Sequence, residues 1–221
     1  MLPASLSRND QQVPAPRSVP PGTPKVTALR RARPGAVLVE VDGRPWRTIP
    51  DRVVVSCGLA AEVELTRPLL RHLRAELRDA EALAAAGRVL RRRDVSRRAL
   101  EESLARVGVR AGARERAVTT LTGVGALDDH RLAQRRAASL AERGWGDAAI
   151  RVRLEGEGLA PEHVETALAE LTPESERAAR LVARVPNPRR AWNLLARRGF
   201  DPETVTTAVA PLDEDDPSGL G

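Results

Sequence analysis

Aromatic residues are almost missing from this chain. It has no tyrosine, one phenylalanine (Phe200) and three tryptophans (Trp46, Trp145 and Trp192). Folds that hold single strands by stacking successive bases need several aromatic platforms, so they are not expected here. The tryptophans are expected as core or interface anchors, and Phe200 as packing. Cysteine is scarcer still. Cys57 alone cannot form an internal disulfide, and its isolation points to a reducing compartment and a cytoplasmic protein. With one cysteine, and with His72, His130 and His163 lacking metal-ligand spacing, no zinc site is expected. No phosphate-binding Gly-Lys-Ser/Thr loop occurs. Gly123 and Gly125 lack the rest of a dinucleotide fingerprint. There is no apolar run long enough to cross a bilayer and no secretory apolar segment at the N-terminus. The expectation is a non-enzyme with no cofactor, no metal, no catalytic residue and no membrane partner.

What the chain does have is arginine. Lys25 is the only lysine, yet the net charge is +6. Residues 87–116 hold ten arginines against four acids, a local net charge as large as that of the whole chain. Arg88, Arg91, Arg92, Arg93, Arg97 and Arg98 lie closest together and are the candidate contacts. Such a patch draws polyanions or an acidic partner. The competing reading is a solvated helix face balanced by counterions.

The chain also repeats itself. Leu104, Gly108 and Val109 recur as Leu154, Gly158 and Leu159, and again as Leu195, Gly199 and Phe200. Ten residues after each glycine stand Val118, Leu168 and Val209; thirteen after stand Leu121, Leu171 and Leu212. Each unit reads as helix, glycine stop, helix. Tandem helical units build long surfaces that bind rather than catalyse. Asn187–Pro188, Asp201–Pro202 and Thr172–Pro173 each set a capping side chain before a proline suited to a first helical position. Ahead of the repeats, Ala36–Val41 and Arg44–Ile49 flank a tight-turn pair, Asp42–Gly43, and Val53–Val55 is a candidate third strand. The expected divisions are a Pro-rich disordered tail (1–24), a small β-containing segment (25–65), three helical repeats (66–124, 125–172 and 173–212) and an acidic disordered tail (213–221).

Asp128 and Asp129 are the one paired carboxylate that invites a metal or acid–base reading. They precede an apolar helical stripe, where aspartates cap a helix and complement its dipole, and capping is preferred.

Gly125, Leu127, Asp128, Asp129 and Ala133, continuing to Arg143, Gly144 and Gly146 and then to Ile150, Leu154, Gly158 and Leu159, resemble the RecX family of recombinase regulators. The preceding Arg92, Arg93, Ser96, Leu100, Leu104 and Gly108 fit the same pattern, and the resemblance spans roughly residues 80–212. Leu132 stands where the family usually has an aromatic. Members are elongated arrays of three-helix units. The resemblance therefore implies a mainly α fold, a tandem array of three three-helix repeats behind a small N-terminal β segment. It implies a monomer that binds the RecA–DNA filament along its groove and touches single- and double-stranded DNA without sequence preference. It implies suppression of ATP hydrolysis, strand exchange and LexA self-cleavage, and so a place in DNA repair, recombination and the SOS response. It adds Arg143 to the candidate contacts and gives structural roles to Gly125, Leu127, Asp128, Asp129, Gly144, Gly146 and Gly158. The competing function is a sequence-nonspecific duplex-DNA or transcription regulator, since three-helix units resemble helix-turn-helix geometry.

Overall fold

The computed structural model describes residues 22–185 and 187–214. The expected tails at 1–24 and 213–221 lie almost wholly outside these residues. The chain divides into two compact units, one up to Leu73 and one from Arg74 onward.

The first unit is a three-stranded antiparallel sheet followed by a short helix. β1 (Val26–Arg33), β2 (Ala36–Val41) and β3 (Arg44–Pro50) pair in sequence order. Asp42 and Gly43 both take positive φ, 49° and 75°, which gives the two-residue turn the hand that a twisted hairpin needs. The Asp42 carboxylate accepts the Lys25 amide (3.0 Å), and the Gly43 amide donates to the Thr27 hydroxyl (3.0 Å). Val26, Val39, Ile49 and Val53 are buried. One expectation fails here. Val53–Val55 is not a strand but part of α1 (Asp51–Ser56), with Val53 and Val54 buried and Val55 exposed. Pro50 closes β3, Asp51 favours a helix N-terminus, and two adjacent buried valines do not fit a period of two. β1 went unread because register shifts between Val26/Ala28 and Arg31/Arg33 break its alternation, and its second half is three arginines among four residues.

α2 (Arg67–Leu90) begins in the first unit, and its residues from Arg74 on belong to the second. With α3 (Arg97–Arg106) and α4 (Ala111–Gly123) it makes the first repeat. The second is α5 (Asp129–Glu142), α6 (Asp147–Gly156) and α7 (Pro161–Ala169). The third is α8 (Glu174–Val182), α9 (Pro188–Arg197) and α10 (Pro202–Glu214). The expected mainly helical array is what the structure has.

Each repeat closes around its own core. Leu100, Leu104 and Val118 are buried in the first, Ile150, Leu154 and Leu168 in the second, and Ala191, Leu195 and Val209 in the third. Leu121, Leu171 and Leu212 pack at the half-buried edges. The stops match bond for bond. Gly108, Gly158 and Gly199 take φ of 80°, 82° and 74°. The next amide reaches back five residues each time: Val109 to Leu104 (3.0 Å), Leu159 to Leu154 (3.2 Å) and Phe200 to Leu195 (3.2 Å). This satisfies carbonyls that the ending helix leaves open. Truncating the fully buried Leu104, Leu154 or Leu195 to alanine costs about 2–5 kcal/mol.

The caps are largely those expected. Asn187 accepts the Arg190 amide (2.9 Å), and Asp201 accepts the Glu203 amide (2.9 Å). Thr172 is a correction. Pro173 itself occupies the capping position and Glu174 begins α8, so Thr172 falls one residue outside the helix.

Candidate partner interface

The basic turn follows from where α2 stops. The Arg91 amide still bonds to Gly87 (3.1 Å), and the Arg92 and Arg93 amides both turn back to Val89. Val95 and Ser96 then plug inward, buried to 9% and 1% exposure. This buried pair fixes the turn, and Arg88, Arg91, Arg92, Arg93, Arg97 and Arg98 are left exposed around it. Two of the local acids are already engaged. Glu102 accepts from Arg98 (3.0 Å), and Asp94 pairs with Arg135 of the second repeat (2.9 Å). Among the described residues no carboxylate pairs with the guanidinium group of Arg88, Arg91, Arg92, Arg93 or Arg97. Three clefts open around this part of the first repeat, and one of about 530 Å³, at the junction with the second repeat, mixes Arg93 and Arg98 with Asp94, Glu102, Glu155 and Glu157. A second of about 320 Å³ is lined by Arg88, Arg92 and Arg93 over Val89, Leu104 and Val107. A third of about 380 Å³ carries Arg78, Arg88 and Arg110. Arg143 lies apart from this group, at the end of α5, where its guanidinium reaches Ser139 (3.2 Å).

The residues singled out by the motif sit mainly at turns and junctions. Gly125 takes φ 68° in the turn before α5. Leu127 is buried in the core of the first repeat, not the second. Asp128 caps α5 by accepting the Arg131 amide (2.9 Å), and that hydrogen bond, helped by the Arg131 charge, holds its carboxyl below the usual aspartate range. Asp129 reaches back to the first repeat and accepts the Arg97 amide at the start of α3 (2.9 Å). Each carboxylate thus already serves a helix N-terminus. No cluster of metal-ligating side chains occurs among the described residues.

The two junctions are built alike. Where the first repeat meets the second, the Ser96 hydroxyl donates to the Glu157 carbonyl (2.6 Å), just before the Gly158 stop. A Cβ on Gly158 would press on Ser96 and Arg98. Where the second meets the third, the Gly146 amide donates to the Arg198 carbonyl (2.9 Å), just before the Gly199 stop. A Cβ on Gly146 would overlap the backbone of Gly199 and Phe200, so only glycine fits. Gly144 ends α5 at φ 79° and lies against Leu181 and Arg198.

Three junction residues escaped sequence reading. Ser96 caps α3 by accepting the Ala99 amide (3.1 Å), and its hydroxyl proton also joins two repeats. Glu174 does for α6 what Asp129 does for α3, accepting the Asp147 amide at 2.6 Å. Both are the first residue of their helix, which is the signal that aligning the repeats would have exposed. Arg177 is 7% exposed and donates to the Thr172 carbonyl (2.9 Å), the Trp145 carbonyl (2.8 Å) and the Asp147 carboxylate. A buried guanidinium is tolerable when its donors are met in this way.

No protein-family profile matches the chain. The regulatory protein RecX of Xanthomonas oryzae pv. oryzae (strain MAFF 311018) is 35% identical over 131 residues, covering 55% of this chain and 82% of that protein. The protein of the same name from Halorhodospira halophila is 35% identical over 145 residues, covering 61% of this chain and 90% of that protein. Among solved structures, a crystal structure of regulatory protein RecX aligns with a TM-score of 0.74 at 19% identity, over 85% of this chain and 99% of that one. That of RecX from Lactobacillus salivarius aligns with a TM-score of 0.57 at 17% identity, over 62% and 97%.

Proposed function

The chain belongs to the RecX family of regulatory proteins, and on that premise we propose that it is a negative regulator of the RecA recombinase. It binds the RecA–DNA filament along its groove as a cytoplasmic monomer and carries out no chemistry of its own. By bridging adjacent RecA protomers it slows ATP hydrolysis, strand exchange and the stimulated self-cleavage of LexA. The observation that carries this reading is the repetition itself. Three units share one core pattern and one glycine stop, and are joined at two like junctions. A periodic protein surface suits a periodic polymer, because successive units can meet successive subunits.

The test is RecA ATPase on single-stranded DNA, titrated with the purified chain. Hydrolysis should fall at substoichiometric to equimolar amounts. Unchanged hydrolysis with intact filaments and folded protein defeats the reading. A second reading, sequence-nonspecific DNA binding without RecA, draws on the exposed arginines of the first repeat. It requires tight duplex binding by the chain alone, weakening steeply with salt.

A further inference from the structure

At both junctions the turn before the stop glycine is covered. The Glu157 carbonyl receives Ser96 at the start of α3, and the Arg198 carbonyl receives Gly146 at the start of α6. The matching residue of the first repeat is Val107, just before Gly108. It is 69% exposed, and among the described residues no backbone donor reaches its carbonyl. Where the other two repeats carry a charged residue, this one has an aliphatic side chain facing solvent.

The surroundings of Val107 have a definite chemistry. The side chain borders two of the clefts described above, those of about 320 and 380 Å³. The first has an apolar floor formed by Val89 and the fully buried Leu104, and its charged rim is arginine alone: Arg88, Arg92 and Arg93. The second adds Arg78 and Arg110 against one acid, Glu81, which already has a partner. Five guanidinium groups therefore frame an aliphatic ridge and trough. A nucleic-acid backbone would satisfy the arginines and gain nothing from the trough, since phosphates and riboses present no apolar side chain and the clefts hold no aromatic ring for a base. An acidic protein segment bearing an aliphatic or aromatic residue satisfies both.

We propose that the α3–α4 turn of the first repeat is a protein-docking site, and that its occupant is an acidic segment of the regulated protein partner with an apolar anchor seated beside Val107. The proposal rests on the regulator reading above and specifies which part of the filament this surface meets: protein, not DNA.

The full-length chain tests this with a benzophenone amino acid in place of Val107, whose exposure lets the fold accept the change. The probe is RecA assembled on single-stranded DNA with a non-hydrolysable ATP analogue. Illumination should cross-link the chain to RecA. A cross-link to DNA, to a second copy of this chain, or to nothing while the filament is bound overturns the proposal. A second arm uses Val107→Ser, which removes the anchor contact without changing charge. Filament affinity should fall by about tenfold, while affinity for duplex DNA alone stays within about twofold. Equal losses for filament and duplex, or no loss for either, overturn it. Should the unsubstituted chain fail to bind the filament at all, the regulator reading falls first and takes this proposal with it.

Discussion

Two glycines of one helix should respond to alanine with opposite signs. Gly146 and Gly156 bracket α6, at its N-cap and its last residue. At Gly146 an added Cβ would collide with the backbone of Gly199 and Phe200, which no side-chain rotation can relieve. The second and third repeats would have to part locally. That strains the Gly146–Arg198 hydrogen bond (2.9 Å) and, through it, the contact of the Arg198 guanidinium with the Arg143 carbonyl (2.9 Å). Overpacking of this kind costs about 1–3 kcal/mol, and loss of the bond adds roughly 1 kcal/mol. At Gly156 nothing lies within 4 Å of the added Cβ, and the backbone is ordinary helix. There alanine should stabilise by about 0.5–1 kcal/mol through helix propensity. Far-UV circular dichroism in urea and on heating reads both. Gly146→Ala should lower the melting temperature by roughly 4–16 °C, and Gly156→Ala should raise it by about 1–4 °C. Equal stability of Gly146→Ala and the parent would refute the junction geometry. A loss at Gly156 as large as that at Gly146 would refute the distinction between the two sites.

Asp128→Ala should cost about 1 kcal/mol at neutral pH, as for other capping residues. Because the folded-state carboxyl is held below its unfolded value, the contribution is present above about pH 4 and fades as pH falls through the lowered pKa. Stability measured against pH should therefore show the parent and variant curves converging in acid; a constant gap would contradict the cap. Arg177→Met should cost about 3 kcal/mol or more, since it orphans two carbonyls and the Asp147 carboxylate, and Arg177→Lys should recover little of it; denaturation of the two variants decides. Reversing Arg92, Arg93 and Arg97 together to glutamate should leave the helical circular dichroism unchanged and weaken RecA filament binding, read by fluorescence anisotropy; unaltered binding would make them ordinary solvated surface.

The array was legible in the sequence because its signals are local. The stop inside each repeat is a glycine with positive φ, and each core has a leucine at fixed spacing from it. Gly108, Gly158 and Gly199 announce the one, and Leu104, Leu154 and Leu195 the other. The exposed arginines were legible as a patch for the same reason. What escaped depends on pairing across repeats. Asp129 could be read as a helix-start residue, but not as the acceptor for Arg97, because that needs the fold. Arg177 carries no spacing signal; its equivalent in the second repeat is the buried Leu132, so the same place in the array holds an apolar side chain once and a bonded cation once. The Val53–Val55 error came from composition, since valine favours strands until a proline and an aspartate in front of it start a helix.

The carboxylate clamps also bear on how many units the array can count. α3 begins with an amide at Arg97 that waits for Asp129 of the unit after it, and α6 begins with one at Asp147 that waits for Glu174. α9 begins with Pro188, which has no amide to offer. Its start is completed from within, by Asn187 on the Arg190 amide. The third unit thus asks nothing of a successor. Residue 188 lacks the amide that the two earlier units offer at this position to the unit after them. Replacing Pro188 by aspartate, the residue that begins α6, would restore that amide, and would create a donor with no acid assigned to it.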